Sequence, residues 1–291
     1  MNNTAWWIII FILILLILAA GEIYREIHTF RVRKYKVKTK KNIGIQNCVK
    51  VIFLSDLHNC VYGNKNDKLY KAIQAEMPDM ILIGGDMLVA KEGSSVQEAL
   101  EFVKKLPHIC QVYYTNGNHE QRMKENTDIY GDTYERYKAK LENCGVCFLE
   151  NKAENIEKNG MKFSIYGLEL DSSVNRKFKK ADVTEKTVEE KIGKKGKDYS
   201  ILMAHNPAYM DAYKKWGADL ILSGHLHGGL VRCPGIGAVV TPQGFLFPKY
   251  SGEMRREGEQ TIVVSRGLGS HTINIRLFNM PEVIAIEVCV R

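Results

Sequence analysis

Val51-Ile52-Phe53-Leu54-Ser55-Asp56-Leu57-His58 joins an apolar, strand-like run to two side chains that can bind a metal ion. Strand ends are where an α/β sheet presents side chains to a ligand crevice. Four later segments repeat this arrangement, each with a metal-binding side chain after an apolar run. They are Gly85-Asp86, Gly117-Asn118-His119-Glu120, His205 and Gly224-His225-Leu226-His227. We therefore expect the strands to bring the five segments together at one edge of the fold.

The spacing within two of these segments suggests a geometric reason. Side chains of a strand alternate between its two faces, so Asp56 and His58 would share a face if the strand continued. The same holds for His225 and His227, and Gly224 before them lets the backbone turn sharply. One such pair arises by chance in most proteins of this size, whereas five segments in order are not expected by chance.

The donor atoms of the five segments indicate which metals they suit. Carboxylate, amide and imidazole groups recur, and no thiolate stands at a matching spacing. This mixture suits borderline divalent metals such as Mn, Fe or Zn. A carboxylate such as Asp86 can bridge two ions, and Gly84 and Gly85 beside it allow a close approach of the chain. The pattern predicts a hydrolase with two metal ions.

The five segments resemble the calcineurin-like metallophosphoesterase superfamily, whose blocks read D-x-H, G-D, G-N-H-[DE], H and G-H-x-H. The resemblance covers residues 49–290, and its closing motifs are similar to a membrane-associated bacterial branch of YaeI- and YkuE-type phosphodiesterases. Leu230 replaces a Gln common in relatives, which concerns substrate choice and not the metals. The closing motifs are Gly224-His225-Leu226-His227-Gly228-Gly229, Pro234-Gly235-Ile236-Gly237, Pro242-Gln243-Gly244, Phe247-Pro248-Lys249-Tyr250 and Ser265-Arg266-Gly267-Leu268-Gly269.

The resemblance implies two divalent metal ions and a set of ligands for them. Two ions about 3.5–4 Å apart would clamp a phosphoryl group, and metal-bound hydroxide would attack phosphorus in line. The ligands carried over from the family blocks form two groups of three and a bridging carboxylate. They are Asp56, His58 and His227 for one ion, Asn118, His205 and His225 for the other, and Asp86 between them.

The same resemblance implies roles for His119 and Glu120, and the position of His271 makes it a further candidate. His119 would lie beside the metals without binding them, and would stabilise a phosphoryl oxygen or protonate the leaving group. Glu120 would orient His119 as an outer partner, although an ordinary acidic residue at a helix N-terminus explains it nearly as well. His271 follows a glycine-rich turn and could approach the site.

The chain of 291 residues can hold one α/β domain of about 250 residues and an appendage. Apolar runs alternate with helix-like segments in its first half, which favours a largely parallel sheet with helices on both faces. The resemblance implies a four-layer αββα sandwich. Strands are predicted at 50–54, 80–83, 109–115, 162–167, 199–204, 219–223, 238–241 and 261–265, and helices at 67–77 and 95–106.

The appendage is an N-terminal transmembrane helix. Residues 5–21 carry no charge, and Trp6, Trp7 and Tyr24 flank them as an aromatic belt would. A signal peptide is the alternative, because Ala19-Ala20-Gly21 offers small residues for cleavage. No Lys or Arg precedes the run, which favours a retained single-pass anchor. We therefore divide the chain into a membrane anchor at 1–24, a basic juxtamembrane linker at 25–48 and a metallophosphoesterase domain at 49–291.

Charge around the anchor predicts its orientation. Residues 22–41 hold eight Lys or Arg and two Glu, a net charge of +6 out of +8 for the whole chain. Positive charge on this side predicts a catalytic domain on the cytoplasmic face, whereas the resemblance pulls the other way, because relatives of this branch are often exported. Seven scattered cysteines fit a reducing compartment better than a disulfide framework. The basic run either attracts anionic lipid head groups as well or serves only as a topology determinant.

Residues 171–198 interrupt the α/β pattern. They contain nine Lys or Arg, six Asp or Glu and almost no large apolar side chains. We expect a solvated surface insertion here, and the alternative is a lid or docking surface for a phosphorylated or lipid-headed substrate.

The expected function is hydrolysis of a phosphodiester or pyrophosphate bond at a membrane surface, on a phosphorylated small-molecule or lipid-linked substrate. The alternatives are a broad phosphomonoesterase or protein phosphatase, and a metal-free scaffold on the same fold. An intact set of seven ligands disfavours the scaffold. Nucleic acid is not expected as a partner, because the excess positive charge lies in 22–41 and not over the domain. No oligomeric state is predicted.

Overall fold

Two six-stranded sheets lie face to face at the centre of the fold. The computed structural model describes residues 3–41, 48–175, 181–233, 235–242, 244–270 and 273–290. Strands are numbered along the chain. In spatial order, the first sheet contains β1 (Arg31–Thr39), β14 (Glu282–Val290), β2 (Cys48–Leu54), β3 (Met80–Ile83), β4 (Gln111–Tyr114) and β5 (Val146–Phe148). The second contains β12 (Met254–Glu257), β13 (Gln260–Val264), β9 (Leu220–Ser223), β8 (Tyr199–Ala204), β7 (Met161–Leu168) and β6 (Lys152–Lys158).

Each sheet has a parallel centre and an antiparallel addition. In the first, β2 to β5 run parallel and β14 is antiparallel to β2, while β1 pairs parallel with β14. In the second, β13, β9, β8 and β7 run parallel, and β12 and β6 are antiparallel edges. A separate hairpin is formed by β10 (Val231–Cys233) and β11 (Gly237–Val240). The predicted strand at 238–241 belongs to this hairpin and not to a main sheet.

Helices cover the outer face of each sheet, which completes four layers. Those on the first sheet pack with Ile52 and Leu54 of β2, whereas Val51 and Phe53 point into the space between the sheets. Burial on both faces explains why the second half of β2, residues 51–54, is a continuous apolar run. The helices are α1 (Asn3–His28), α2 (Asp67–Ala75), α3 (Gln97–Val103), α4 (Asn118–Glu125), α5 (Thr127–Tyr130), α6 (Thr133–Glu142), α7 (Glu185–Ile192) and α8 (Met210–Trp216). The predicted αββα class is confirmed.

The N-terminal helix α1 is long and apolar enough to cross a membrane. It continues to His28, beyond the predicted boundary at residue 24. Glu26, near its end, is buried against the domain and accepts a hydrogen bond from the backbone N–H of Asn279 at 2.8 Å. The helix is therefore attached to the domain surface before the chain enters the first sheet.

The segment expected to be a basic linker forms part of the sheet. Nine of its residues make up β1, in register with β14 from Arg31 opposite Glu282 to Thr39 opposite Val290. Lys34, Lys36 and Lys38 are exposed, while Val37 and Thr39 between and beyond them are buried. Alternating lysines on the outer face of an edge strand keep it soluble, so a high positive charge is compatible with a strand here.

Two of the seven cysteines are paired, which differs from the expectation of scattered thiols. Cys48 of β2 and Cys289 of β14 lie opposite each other in antiparallel strands, with Cα atoms 4.1 Å apart, and form a disulfide. Their side chains meet because both strands are in register at that position. The cysteine pattern alone could not reveal the pair, since 241 residues separate its members.

The charged segment 171–198 contains a packed helix. Residues 176–180 lie outside the described part of the chain. Helix α7 begins at a capping box in which Thr184 accepts a hydrogen bond from the backbone N–H of Thr187. Val188 and Ile192 on its inner side are buried beside α8 and the second sheet. This part of the segment therefore belongs to the outer helical layer.

Candidate metal centre

The five predicted segments meet at the carboxyl-terminal ends of the central strands. The loops after β2 and β3 carry Asp56, His58 and Asp86, and the first turn of α4, after β4, carries Asn118 and His119. The second sheet contributes His205 after β8 and both His225 and His227 after β9. The site therefore lies where the two sheets adjoin, which is why its residues are far apart in sequence.

The ligand candidates do not continue their strands. Asp56, His58, Asp86, His225 and His227 all have a positive φ, between 47° and 69°. In this left-handed region the strict alternation of strand side chains no longer applies, so the geometric reason predicted for the D-x-H and H-x-H spacing is wrong. Backbone of this kind costs energy in residues other than glycine, and it concentrates at functional sites.

At two positions only glycine fits, because a side chain would collide with a carboxylate of the centre. A Cβ on Gly224 would lie 2.3 Å from Oδ2 of Asp56, and one on Gly117 would lie 2.2 Å from Oδ1 of Asp86. Gly224 has no positive φ, so the sharp turn predicted for it is not the reason for a glycine there. The two residues instead let backbone pass directly against the two carboxylates of the centre.

Asp56, His58 and His227 form the first group of converging donors. Oδ1 of Asp56 lies 3.9 Å from Nε2 of His58 and 3.7 Å from Nε2 of His227. The two imidazole nitrogens are 3.2 Å apart. All three side chains are buried, so these donors face one another and not bulk solvent.

Asp86, His205 and His225 form the second group, whose ligand atoms lie within 4.8 Å of one another. Oδ2 of Asp86 is 3.1 Å from Nε2 of His205. The same oxygen is 3.8 Å from Nε2 of His58, so Asp86 lies between the two groups. Asn118 joins the second group, because its Oδ1 is 2.7 Å from Nδ1 of His225.

Two backbone carbonyls determine which nitrogen each histidine presents. Nδ1 of His205 lies 2.7 Å from the carbonyl oxygen of Gly84, and Nδ1 of His227 lies 3.0 Å from that of Gly269. A carbonyl only accepts, so Nδ1 carries the proton and the lone pair of the neutral ring is on Nε2. Nε2 of His205 is buried, has no hydrogen bond, and points at the Asp86 carboxylate. A proton on Nε2 or a divalent metal ion beside both atoms would satisfy this contact, so the pair fits a cation-binding site.

His119 is oriented in the opposite way. Its Nδ1 accepts a hydrogen bond from the backbone N–H of Ala90 at 2.9 Å, so the proton of the neutral ring is on Nε2. Its own backbone N–H donates to Oδ1 of Asp86 at 2.8 Å. By position alone, His119 could join His58 and Asp86 in a third group of donors. The Ala90 hydrogen bond places the proton of the neutral ring on Nε2, which disfavours that nitrogen as a metal ligand.

Glu120 stabilises the loops around Asp86 through hydrogen bonds. Its fully buried carboxylate accepts four hydrogen bonds of 2.7–3.0 Å, and burial together with the charge of Asp86 raises its pKa to about 7. The donors are the backbone N–H groups of Asp86, Met87 and Gly117 and the hydroxyl of Tyr114. Glu120 thus holds the loop of Asp86. The sequence had instead predicted that Glu120 orients His119.

Burial and mutual charge shift the pKa values of the centre. Burial raises the pKa of Asp56. Burial also opposes ionisation of Asp86, but His205 and His119 outweigh it and lower its pKa. Burial disfavours a charged His205, yet Asp86 and Asp56 raise its pKa to about 10, while burial and His205 lower that of His225 to about 3. A positive charge is thus favoured beside the carboxylates, where a metal ion would replace the proton.

Two residues that sequence reasoning missed hold the loop of His227. The amide of Asn279 donates to the carbonyls of His227 at 2.7 Å and Gly229 at 2.5 Å. The buried guanidinium of Arg276 donates to the carbonyls of Gly269 at 2.7 Å and Asn279 at 3.2 Å. The only signal in the sequence is that two polar residues stand in an otherwise apolar stretch. His271 lies outside the described residues.

Two depressions lie beside the metal-binding groups, and both have mixed linings. The one beside His227 is lined by the apolar Leu230, Pro242, Ile273 and Ile275 and by the polar Ser270 and Arg276. The other, beside His205, is lined by the polar Asn116, Gln121, Glu169 and Asn206 and by the apolar Leu168, Leu170 and Val174.

Comparison with known proteins agrees with this centre. The family model described as calcineurin-like phosphoesterase matches residues 49–229, which contain every ligand candidate. This chain belongs to the calcineurin-like phosphoesterase family. It is therefore a phosphoester hydrolase of a metal-dependent family, and the clustered Asp and His residues are its candidate metal ligands.

Two bacterial relatives of this phosphoesterase are covered over most of their length. Uncharacterized metallophosphoesterase YkoQ of Bacillus subtilis is 25% identical over 260 residues, which cover 89% of this chain and 90% of that protein. Phosphodiesterase YaeI of Escherichia coli is 25% identical over 82% of this chain and 81% of its own length. The solved structure of calcineurin-like phosphoesterase YfkN from Bacillus subtilis has a TM-score of 0.45 and 15% identity over 82% of this chain and 81% of that one.

Proposed function

We propose that this phosphoester hydrolase uses two metal ions to cleave a phosphodiester or pyrophosphate bond at a membrane surface. The observation that carries the proposal is the pair of donor groups joined at Asp86, whose Oδ2 is 3.1 Å from Nε2 of His205 and 3.8 Å from Nε2 of His58. A carboxylate between two sets of histidines is the arrangement that a bridged pair of ions requires. Mn, Fe and Zn suit these donors.

Each residue of the centre has a task that its contacts support. Two bound ions would supply Lewis acidity and lower the pKa of coordinated water towards neutrality. Gly84 and Gly269 orient His205 and His227, so that Nε2 of each ring is presented as a ligand. Glu120 holds the Asp86 loop in place through hydrogen bonds to the backbone.

His119 is the proposed proton donor. The Ala90 N–H occupies its Nδ1, which leaves a proton on Nε2 in the neutral ring. A proton placed there is transferred to the leaving oxygen as the bond to phosphorus breaks, and positioned acids of this kind contribute about 10²–10⁴-fold to a rate. His119 is buried and only one residue from Asn118, so bulk water does not compete for that position.

The two depressions support a substrate with substituents on both sides of the phosphorus. A phosphomonoester would occupy only one, whereas a diester or pyrophosphate reaches both. The depression beside His227 contains Ile273 and Ile275, close in sequence to Asn279, where the end of α1 contacts the domain. A lipid-linked substrate would present its apolar portion on that side. The name of the relative YaeI, a phosphodiesterase, is consistent with this choice.

The orientation of the domain is part of the same proposal. The net charge of +6 in residues 22–41 supports a cytoplasmic catalytic domain. The Cys48–Cys289 disulfide supports the oxidising side instead. Maleimide labelling of these cysteines in cells lysed under acid trapping decides between the two: reactive thiols agree with the cytoplasmic face, and protected sulfurs contradict it.

The test compares two chromogenic substrates. The full chain is purified in an uncharged detergent with Mn²⁺ and assayed on bis-p-nitrophenyl phosphate and p-nitrophenyl phosphate. We expect faster cleavage of the diester, and loss of that cleavage in Asp86→Asn, which removes the carboxylate between the ions. Asp128→Asn, a change at an exposed position on α5, is the matched control and should keep full activity.

Three results would contradict the proposal. Faster cleavage of the monoester would favour a phosphomonoesterase. Unchanged diesterase activity in Asp86→Asn would show that the bridging carboxylate is wrongly assigned. A protein that binds no Mn²⁺ and cleaves neither compound would favour a scaffold on this fold.

A further inference from the structure

A second polar cavity lies outside the metal centre. Its volume is about 300 Å³, at the lower end of the range for small-molecule sites. It shares no lining residue with either depression at the metals. Its charged side chains are Arg232, Arg255, Arg266 and Glu253, and we call it the arginine cavity.

Glu253 is the carboxylate that lines the arginine cavity, and it serves two arginines. Its Oε2 is 2.6 Å from Nη2 of Arg232, and its Oε1 is 3.3 Å from Nη2 of Arg255. Nη1 of Arg232 donates to the carbonyls of Gly228 and Ser251, which bring no negative charge. The pair of arginines therefore retains one positive charge beyond what Glu253 neutralises.

The third arginine of the cavity shares its carboxylate with two others. Oε2 of the fully buried Glu282 lies 3.8 Å from Nε of Arg266, 2.8 Å from Nε of Arg33 and 3.8 Å from Nη2 of Arg31. One carboxylate thus faces three guanidinium groups. Together with the Glu253 pair, five arginines on the described residues of this region share two carboxylates.

This excess positive charge is partly removed from water. The side chains of Arg232 and Arg266 are 6% and 12% exposed. Burial lowers the pKa of Arg266 to about 10, because Glu282 only partly compensates and Arg232 repels it. Charges held away from solvent are costly unless they are paired. A bound anion would supply the missing partner.

The arginine cavity is next to the end of the anchoring helix. Phe278 lines the cavity, and the following residue, Asn279, donates its N–H to Glu26 of α1. Glu26 is five residues past Gly21, the last residue of the uncharged run, which at 1.5 Å per residue is about 7 Å. The polar headgroup layer of a bilayer is about 5–7 Å thick on each side. The cavity is therefore at the depth of lipid phosphates if α1 spans the membrane.

The rim of the cavity is apolar and exposed. Ile236 and Phe278 line the cavity with 67% and 56% of their surface accessible. Phe247, near β11, is also exposed, and both phenylalanines have a positive φ, 57° for Phe278 and 46° for Phe247. Strained backbone that presents aromatic rings to the outside is typical of a binding surface, and such rings suit the boundary between acyl chains and head groups.

We propose that the arginine cavity binds the phosphate of an anionic phospholipid headgroup. Arg255 and Arg266 pair with the phosphate, and Ile236 and Phe278 contact the first carbons of the acyl chains. This site is separate from the metal centre and requires no hydrolysis. It secures the domain against the bilayer at a second point beside α1.

The test measures lipid binding by the full chain in an uncharged detergent. Short-chain phosphatidylglycerol is titrated by calorimetry, with short-chain phosphatidylcholine and inorganic phosphate as the comparison ligands. The decisive variants are two neighbours on β12. Arg255 lines the cavity, whereas Arg256 points away and contacts the carbonyl of Gly258. Both side chains are about equally exposed, at 42% and 43%, so either change to Gln should leave the fold intact.

We expect phosphatidylglycerol to bind more tightly than phosphatidylcholine. Arg255→Gln should weaken that binding about five-fold, the effect of one basic residue near an anionic surface, and Arg256→Gln should not change it. Equal binding of the two lipids, or an equal effect of the two variants, would overturn the proposal. Inorganic phosphate that binds as tightly as the lipid would also overturn it, because the ligand would then be free phosphate.

Discussion

Replacing Glu120 by Gln tests how firmly the loops of the metal centre are held. Oε2 of Glu120 accepts from the N–H groups of Asp86 and Gly117, and Oε1 accepts from the N–H of Met87 and the hydroxyl of Tyr114. Gln has the same shape, but one of its terminal atoms is an NH₂ group that donates. The Tyr114 hydroxyl can turn to accept from this group, so at least one of the four buried donors, a backbone N–H, would lose its acceptor.

The expected loss can be worked from these contacts. At pH 8, where Glu120 is mostly ionised, a hydrogen bond to its charge contributes about 1.5–3 kcal/mol, so one lost bond should lower the free energy of unfolding by about that amount. Guanidinium titration in detergent, followed by the fluorescence of the buried Trp216, measures this change. Metal content should also fall, since Asp86 is no longer held by the Glu120 carboxylate.

Glu125→Gln is the matched control for this experiment. Glu125 is on the same helix but exposed, and its carboxylate accepts from the amide of Gln121. Surface changes of this type alter the free energy of unfolding by less than about 0.5 kcal/mol. If Glu120→Gln lost no more than the control, the four hydrogen bonds would not be holding the Asp86 loop and the reasoning would be refuted.

Three further changes are predicted. His119→Ala should lower kcat by about 10²–10⁴ and leave the metal content unchanged by elemental analysis, because it donates a proton and does not bind metal. Gly224→Ala should reduce the metal content, since its Cβ would lie 2.3 Å from Oδ2 of Asp56. Burial opposes ionisation of Glu150, but Lys138 outweighs it, and with Tyr134 and Lys124 lowers the pKa to about 2. The folded protein should therefore lose about 3 kcal/mol of stability as the pH falls from about 4.5 to about 2, and Glu150→Gln should remove that loss in denaturant titrations.

The fold class and the family could be predicted because strands and ligands coincide in sequence. β2, β3 and β8 each close with an apolar run of four residues, and each ends within three residues of a candidate metal-binding side chain. Buried parallel strands have this appearance because both of their faces are covered. The position of each segment could therefore be predicted without knowledge of its local backbone conformation. The left-handed backbone conformation of Asp56 and His58 after the strand could not be predicted.

Strand β1 was not predicted, because its many basic residues obscured the alternation of exposed and buried side chains. Lys34, Lys36 and Lys38 face outward, and a net charge concentrated there resembles a membrane-flanking linker. The alternation with Val37 and Thr39 was nevertheless present. Its pairing partner β14 lies about 250 residues away in the chain, so no local pattern could show which sheet it joins.

Asn279 and Arg276 could not be assigned from sequence for a related reason. Their contacts are to backbone carbonyls of His227 and Gly269, and a carbonyl has the same chemistry at every residue. No residue type in those partners therefore signals the contact. Only the folded chain shows that these two side chains support a metal ligand.

The attachment of α1 has a consequence for proteolysis. Glu26 accepts the N–H of Asn279, and the Asn279 side chain in turn donates to the carbonyl of His227, so two hydrogen bonds connect α1 with a candidate metal ligand. A protease that released the domain after His28 would leave the buried N–H of Asn279 without that acceptor, at a cost of about 1–3 kcal/mol. Shedding would thus loosen the loop of His227 as well as free the domain. The released form should be the less active one, and catalysis should stay with the molecules that remain in the membrane.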